Sequence, residues 1–182
     1  AEDLEPSRME AAKEAARVFV ENQPSTIRVG VVAFSNGGLV VQPPTDVQAD
    51  VLATIDRLTP QGGTSLGQGI FTALNAIAGQ AIVLDEAALE EGDLAQSVEA
   101  LQIDDFSSAV IVLLSDGENT SFPEPLDIAQ IAAEAGVRVY TVGIGSPQGA
   151  LLELDGFSVM TQLNEATLQE IASLTNGSYY FA

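Results

Sequence analysis

The sequence contains no cysteine and no histidine. Without cysteine there are no disulfides, no thiolate metal sites and no thiol nucleophiles, and the redox compartment is left open. Without histidine the chain cannot build a Ser-His-Asp triad, an imidazole base or a His-ligated zinc. Positive charge is also scarce: 6 Lys and Arg stand against 26 Asp and Glu, a formal net charge of −20. Such a surface repels phosphate backbones and anionic headgroups over about a Debye length, which excludes nucleic acid as a partner class. Cations and basic protein surfaces are favoured instead, although solubility is a plainer use of the same acid. No stretch approaches the ~20 apolar residues of a membrane span, and the N-terminal AEDLEPS lacks a basic region followed by an apolar one. Direct membrane insertion by this chain is therefore not expected.

What remains is globular in composition. With 46% hydrophobic and 18% charged residues over 182 positions, the chain can bury a core and reads as a single domain, 1–182. PSRMEAAKEAARVFVEN spaces Met9, Ala12, Ala16, Phe19 and Val20 as an amphipathic helix does, with a Ser7–Glu10 capping-box pair after Pro6. TIRVGVVAFS, with a strand placed at 27–34, has the continuous β-branched character of a strand covered on both faces, and GLVVQPPT reads as a short edge strand ended by Pro43 and Pro44. Asp46 is placed to cap a helix through DVQADVLATIDRL, and another helix begins near TSLGQGIFTALNAIA. Residues 81–108 read as an acidic, Ala/Leu-rich insertion with some helix.

The second half alternates more plainly: a strand over 109–114, a helix over 124–135 stopped by Gly136, the strand VRVYTVGI, a hairpin over 151–161 around Asp155-Gly156, the helix EATLQEIASLT and the strand SYYF. Buried strands separated by helices predict an α/β fold, a Rossmann-like open and mostly parallel sheet with helices on both faces. Ligands on such sheets bind beyond the carboxyl ends of the strands.

Three loops at that rim carry suggestive residues. GIGSPQG, within 142–149, leads into a hairpin rather than a helix, so its glycines cannot aim a helix N-terminus at a pyrophosphate. QGGTSLGQG at 61–69 lacks the Lys of a phosphate-binding loop. LLSDGENT at 113–120 presents Asp116, which taken alone has the bland reading of a turn former, as Thr64 has that of a helix cap. Together the hydroxyl and the carboxylate are hard oxygen donors of the kind that Mg²⁺ or Ca²⁺ takes alongside water. No catalytic residue and no residue binding an organic cofactor emerges.

VGVVAFS at 29–35, GGTSLGQGI at 62–70, VIVLLSDGENT at 110–120 and VYTVGIG at 139–145 occur in the order found in von Willebrand factor A domains, which the chain resembles over nearly its whole length. The segments AEDLEPSRMEAAK and GFSVMTQLNEATLQEIASLTNGSYYFA further resemble the bacterial, membrane-anchored subfamily related to the Bat (aerotolerance) proteins. The resemblance implies a metal-ion-dependent adhesion site (MIDAS) built from an Asp-x-Ser-x-Ser after the first strand, a Thr and a further Asp. Thr64 matches the Thr and Asp116 the last Asp, whereas the Asp-x-Ser-x-Ser has no match. In relatives that motif ends a strand just before the AEDLEPSR-like segment. Either the chain is a fragment whose first central strand lies upstream of Ala1, or the protein lacks it. An empty place mid-sheet would expose the edges of two strands, which favours the fragment. The family's last helix is likewise expected beyond SYYFA.

The resemblance implies a non-enzymatic module in which Mg²⁺, Ca²⁺ or Mn²⁺ takes a carboxylate from a protein partner. It also implies a place on the extracytoplasmic face of a bacterial membrane, anchored by segments outside this chain. A cation suits the −20 charge, since an acidic surface would otherwise repel an acidic ligand. Two rivals remain. One is a Mg²⁺-dependent phosphohydrolase, for which no second acid at matched spacing and no Lys or Arg near the loops is apparent. The other is an interaction domain whose metal site has decayed.

Overall fold

The computed structural model describes residues 7–60, 62–79, 106–146, 149–154 and 157–182. Most of the expected insertion, 81–105, lies outside the described residues, as does the Asp155-Gly156 turn.

Helix α1 spans Arg8–Glu21, with Ser7 as its cap: the Ser7 hydroxyl accepts from the Glu10 amide at 3.2 Å. The Glu10 carboxylate pairs with Lys13 at 3.1 Å. Strand β1, Val29–Phe34, pairs antiparallel with β2, Gly38–Thr45. Two expectations are corrected here. β2 runs on through Pro43 and Pro44, because an edge strand tolerates the missing N–H groups; the ladder opposite accommodates them with register shifts around Val31. β1 is half-buried rather than covered on both faces, since among the described residues β2 is the one strand hydrogen-bonded to it.

Helix α2, Gln48–Asp56, is not capped by Asp46. Val47 holds the cap position without a side-chain bond, and its amide donates to the Thr45 hydroxyl at 3.2 Å. Helix α3, Leu66–Ala78, starts on Ser65, whose hydroxyl accepts from the Gln68 amide, and ends on Gly79 with φ 69°. Strand β3, Val110–Ser115, helix α4, Pro125–Glu134, and strand β4, Arg138–Gly143, form a parallel β-α-β unit, with Ile111 opposite Val139 and Leu113 opposite Thr141. β5, Ala150–Leu154, and β6, Phe157–Thr161, pair as an antiparallel hairpin. Helix α5, Glu165–Leu174, then leads to β7, Tyr179–Phe181, parallel to β4.

The main core lies on one face of β3 and β4. Ile111, Leu113, Val139 and the other buried residues of that face meet Leu66, Ile70 and Leu74 of α3, Ile128 and Ile131 of α4, and Leu168 and Ile171 of α5. Their burial removes apolar surface at about 25 cal/mol per Å², the main source of stability. A smaller cluster sits against β1, where Val20 of α1 and Val51 and Ile55 of α2 pack with Val29 and Val31. Phe34, at the end of β1, packs against the main core instead. The architecture is thus the expected α/β one, with a parallel sheet and helices on both sides. Among the described residues β1–β2 and β3–β4–β7 form separate ladders, with no hydrogen-bonded pairing between β1 and β3.

One buried side chain locks α5 to the sheet. The Thr175 hydroxyl accepts from the Val139 amide at 2.9 Å and lies 3.0 Å from the Ile171 carbonyl, to which it can donate, at 2% exposure. This holds the C-terminal end of α5 on β4 and leaves its N-terminal end, Asn164–Glu165, at the rim where β3 ends.

Candidate functional site

Strand β3 carries the chain to Ser115, and Asp116 follows at the carboxyl end of the parallel ladder. The next residue must turn sharply: Gly117 has φ 77°, and a Cβ there would stand 2.3 Å from the Asn164 carbonyl oxygen. Glycine is required on both counts. The turn is fixed by three bonds. The Gly117 amide donates to the Ser115 hydroxyl at 3.1 Å, the Glu118 amide to Asp116 Oδ1 at 3.1 Å, and the Asn164 amide to the Asp116 carbonyl at 2.7 Å. Asp116 is therefore the turn former of its bland reading and a fixed carboxylate at the rim as well.

Its second oxygen meets a cation from the far end of the sequence. Arg8 Nη1 donates to Asp116 Oδ2 at 3.0 Å, with the side chains 11% and 22% exposed respectively. Arg8 opens α1, and its guanidinium lies over Gly145, just past β4, where a Cβ would come 3.3 Å from the guanidinium carbon. This corrects the reading that no Lys or Arg lies near the loops. The contact joins residues 108 apart, and nothing local in PSRMEAAK distinguishes Arg8 from a solvated helix cation.

Thr64 sits at the same rim, in the loop before α3. Its amide donates to the Thr120 hydroxyl at 3.0 Å, and its carbonyl accepts from the Thr120 amide at 2.8 Å. Asn119 Oδ1 accepts from the Leu66 amide at 3.0 Å, so it takes up a donor at the start of α3 that a phosphate would need. A third loop joins through the Ser65 amide, which donates to the Ser35 carbonyl at 2.6 Å, and through Ser121, whose hydroxyl lies 3.3 Å from Asn36 Oδ1. The structure thus laces the loops after β1, before α3 and after β3 together, placing Thr64 and Asp116 on one rim. Sequence reading identifies the two end points but misses Asn119, Thr120 and Arg8, which position them. Beside Glu118 an open cleft of about 490 Å³ runs along Gln162–Ala166.

The donors suit a hard divalent cation in part. Asp116 brings one carboxylate, and the Thr64 hydroxyl makes no hydrogen bond among the described residues, its main chain alone being used. Both are oxygen ligands of the type Mg²⁺, Ca²⁺ and Mn²⁺ accept, with further oxygens needed to complete a shell. Among the described residues no group of three or more His, Cys, Asp or Glu side chains is placed to hold a metal ion.

Comparison with known proteins gives the same picture. The sequence pattern of the von Willebrand factor type A domain matches residues 1–119. A UPF0353 protein of Mycolicibacterium paratuberculosis is 35% identical over 186 residues, covering 99% of this chain and 50% of that protein. The chain therefore spans about half the length of the curated relatives it matches. Among solved structures, an aerotolerance-related membrane protein from Bacteroides fragilis superposes with a TM-score of 0.77 at 24% identity, over 100% of this chain and 84% of its own. Proximal thread matrix protein 1 from the mussel byssus, in a form with a zinc-occupied MIDAS motif, superposes with a TM-score of 0.60 at 19% identity, over 96% and 38%. These similarities establish a shared fold. Among the described residues no helix is long and apolar enough to cross a membrane.

Proposed function

The chain belongs to the von Willebrand factor type A domain family, whose members are often metal-dependent protein-interaction modules, and on that premise we propose that it binds a protein partner through a divalent cation. Thr64 and Asp116 supply two of the cation's oxygen ligands, and an acidic side chain of the partner supplies another. The observation that carries the reading is the lacing of the Thr64 loop to the Asp116 loop through Thr120 and Asn119, which holds the Thr64 main chain beside the loop that fixes the Asp116 carboxylate at the carboxyl rim of the sheet. The mussel protein, with its zinc-occupied MIDAS motif on the same fold, supports it.

When bound, the cation supplies positive charge at an acidic rim and an exchangeable coordination position. The chain's own residues orient the donors: Glu118 and Asn164 hold Asp116 from two sides, and Thr120 holds the main chain of Thr64. Glu118 and Glu165 line the neighbouring cleft, so an incoming carboxylate without a cation would meet like charge. No residue here matches the Asp-x-Ser-x-Ser of the family, and β1 and β3 do not pair with each other among the described residues. The role is non-catalytic, and its place is the extracytoplasmic face of a bacterial membrane. The description of the Bacteroides fragilis protein as a membrane protein supports the association with a membrane.

Calorimetric titration with Mg²⁺, Ca²⁺ and Mn²⁺ tests the reading. Saturable binding that is weakened by Asp116→Asn and by Thr64→Ala is expected. Absence of binding for all three ions would sink it. Sustained turnover of p-nitrophenyl phosphate or ATP, abolished by Asp116→Asn, would instead support the hydrolase.

A further inference from the structure

The carboxylate offered to the cation already has a cation on it. We infer that Arg8 is a built-in competitor at Asp116: the guanidinium and the divalent ion are alternative occupants of that carboxylate. The inference rests on the cation-binding reading of Thr64 and Asp116 and adds to it a regulating residue.

Four observations converge on Arg8. Its Nη1 lies 3.0 Å from Asp116 Oδ2, on the carboxylate oxygen that is not used by the Glu118 amide. Both side chains are largely buried, at 11% and 22% exposure, so the pair is screened less than an exposed one and two neighbouring cations would repel strongly. The guanidinium is seated over Gly145, whose φ of 134° and missing side chain leave room that a Cβ would narrow to 3.3 Å. Finally, Arg8 is the first residue of α1, at the positive end of the helix dipole, where a cation is disfavoured. The helix does not hold Arg8 there; Asp116 gives it a counter-charge. Lys13 and Arg17, on the same helix, pair instead with Glu10 and Glu14 of α1 and Asp56 of α2.

A carboxylate oxygen that accepts an Arg N–H cannot give the same lone pair to a metal, and a divalent charge at Asp116 repels the guanidinium. On this inference the repulsion between the two cations makes uptake displace Arg8, and affinity is reduced by the strength of the pair that is given up. A charge-assisted hydrogen bond of this kind corresponds to about ten- to a hundredfold in affinity.

The test is a calorimetric Mn²⁺ titration of the wild-type chain, Arg8→Gln and Arg17→Gln, the last removing the same charge from the same helix away from the rim. Arg8→Gln should bind at least about tenfold more tightly, with Arg17→Gln within about twofold of wild type. A measurement on the wild type alone guards against a misfolded variant: the Arg8 Nε–Hε resonance should shift during a Mg²⁺ titration with the same midpoint as the Gly117 and Glu118 amides. Equal affinity of Arg8→Gln and wild type, equal tightening in Arg17→Gln, or an Arg8 resonance that stays still while those amides move would overturn the inference and leave the cation site intact. If no variant takes up Mn²⁺, the cation reading fails and the competition falls with it.

Discussion

Replacing Gly117 with alanine tests how the Asp116 turn is built. The added Cβ would stand 2.3 Å from the Asn164 carbonyl oxygen and 3.1 Å from Leu168 Cγ, on a residue whose φ is 77°. The positive φ costs about 1–2 kcal/mol for a residue with a Cβ. A Cβ that close to main chain cannot be accommodated by a side-chain rotation, so the turn or the start of α5 must shift. The bond that shift endangers is the Asn164 amide on the Asp116 carbonyl at 2.7 Å, and losing a hydrogen bond at a part-exposed position costs about 0.5–1.5 kcal/mol. Together these predict a loss of about 1.5–3.5 kcal/mol, or roughly 3–14 °C in Tm for a chain of this size. Urea unfolding followed by circular dichroism measures it, with Gly62→Ala as control, since a Cβ at Gly62 meets nothing within 4 Å. Gly62→Ala should stay within about 0.5 kcal/mol of wild type. A Gly117→Ala protein as stable as that control, with an unchanged slope in urea, would refute the reasoning.

Two further outcomes follow from neighbouring contacts. Asn119→Ala removes the acceptor of the Leu66 amide at 3.0 Å, and should cost about 1–2 kcal/mol in urea unfolding while weakening divalent-ion binding through the slackened Thr64 loop; unchanged affinity would uncouple the two loops. Burial, followed by its hydrogen bond to Glu165 at 2.9 Å, pushes the Tyr179 hydroxyl up to about 12. Because the folded value is the higher one, the unfolded chain loses its proton first as pH rises. Tyr179 should therefore keep its full contribution below about pH 10 and lose it progressively toward pH 12. The Tyr179→Phe variant should lack that part of the alkaline decline, and an identical decline in both proteins would contradict the assignment.

Elements whose signals are local were legible in the sequence. Ser7 caps α1, and the alternation of β3, α4 and β4 follows from apolar runs separated by a helical repeat stopped at Gly136, whereas the cap of α3 is Ser65 and not Thr64, the residue to which the sequence gives that role. Where two local solutions compete, the reading failed: Asp46 has the chemistry of a cap, but the helix starts one residue later and Thr45 satisfies the entering amide. Pro43 reads as a stop in the sequence, although on an edge strand the missing N–H costs little and pairing continues to Thr45. The burial of β1 was overestimated because burial is set by neighbours in the sheet, which strand composition does not reveal. At the rim, Thr64 and Asp116 could be named from their motifs, whereas Arg8 could not. Its partner is 108 residues away, and only the closure of α1 against the ends of β3 and β4 brings the two together.

The most direct test of the account is electron paramagnetic resonance of Mn²⁺ titrated with the wild-type chain, Asp116→Asn and Thr64→Ala. Bound Mn²⁺ loses its free six-line signal, so uptake is read without a partner protein. The account predicts saturable, stoichiometric uptake by the wild type, displaced by excess Mg²⁺ and weakened by both substitutions. Uptake that is indifferent to Asp116 and Thr64, or none at all, would contradict it.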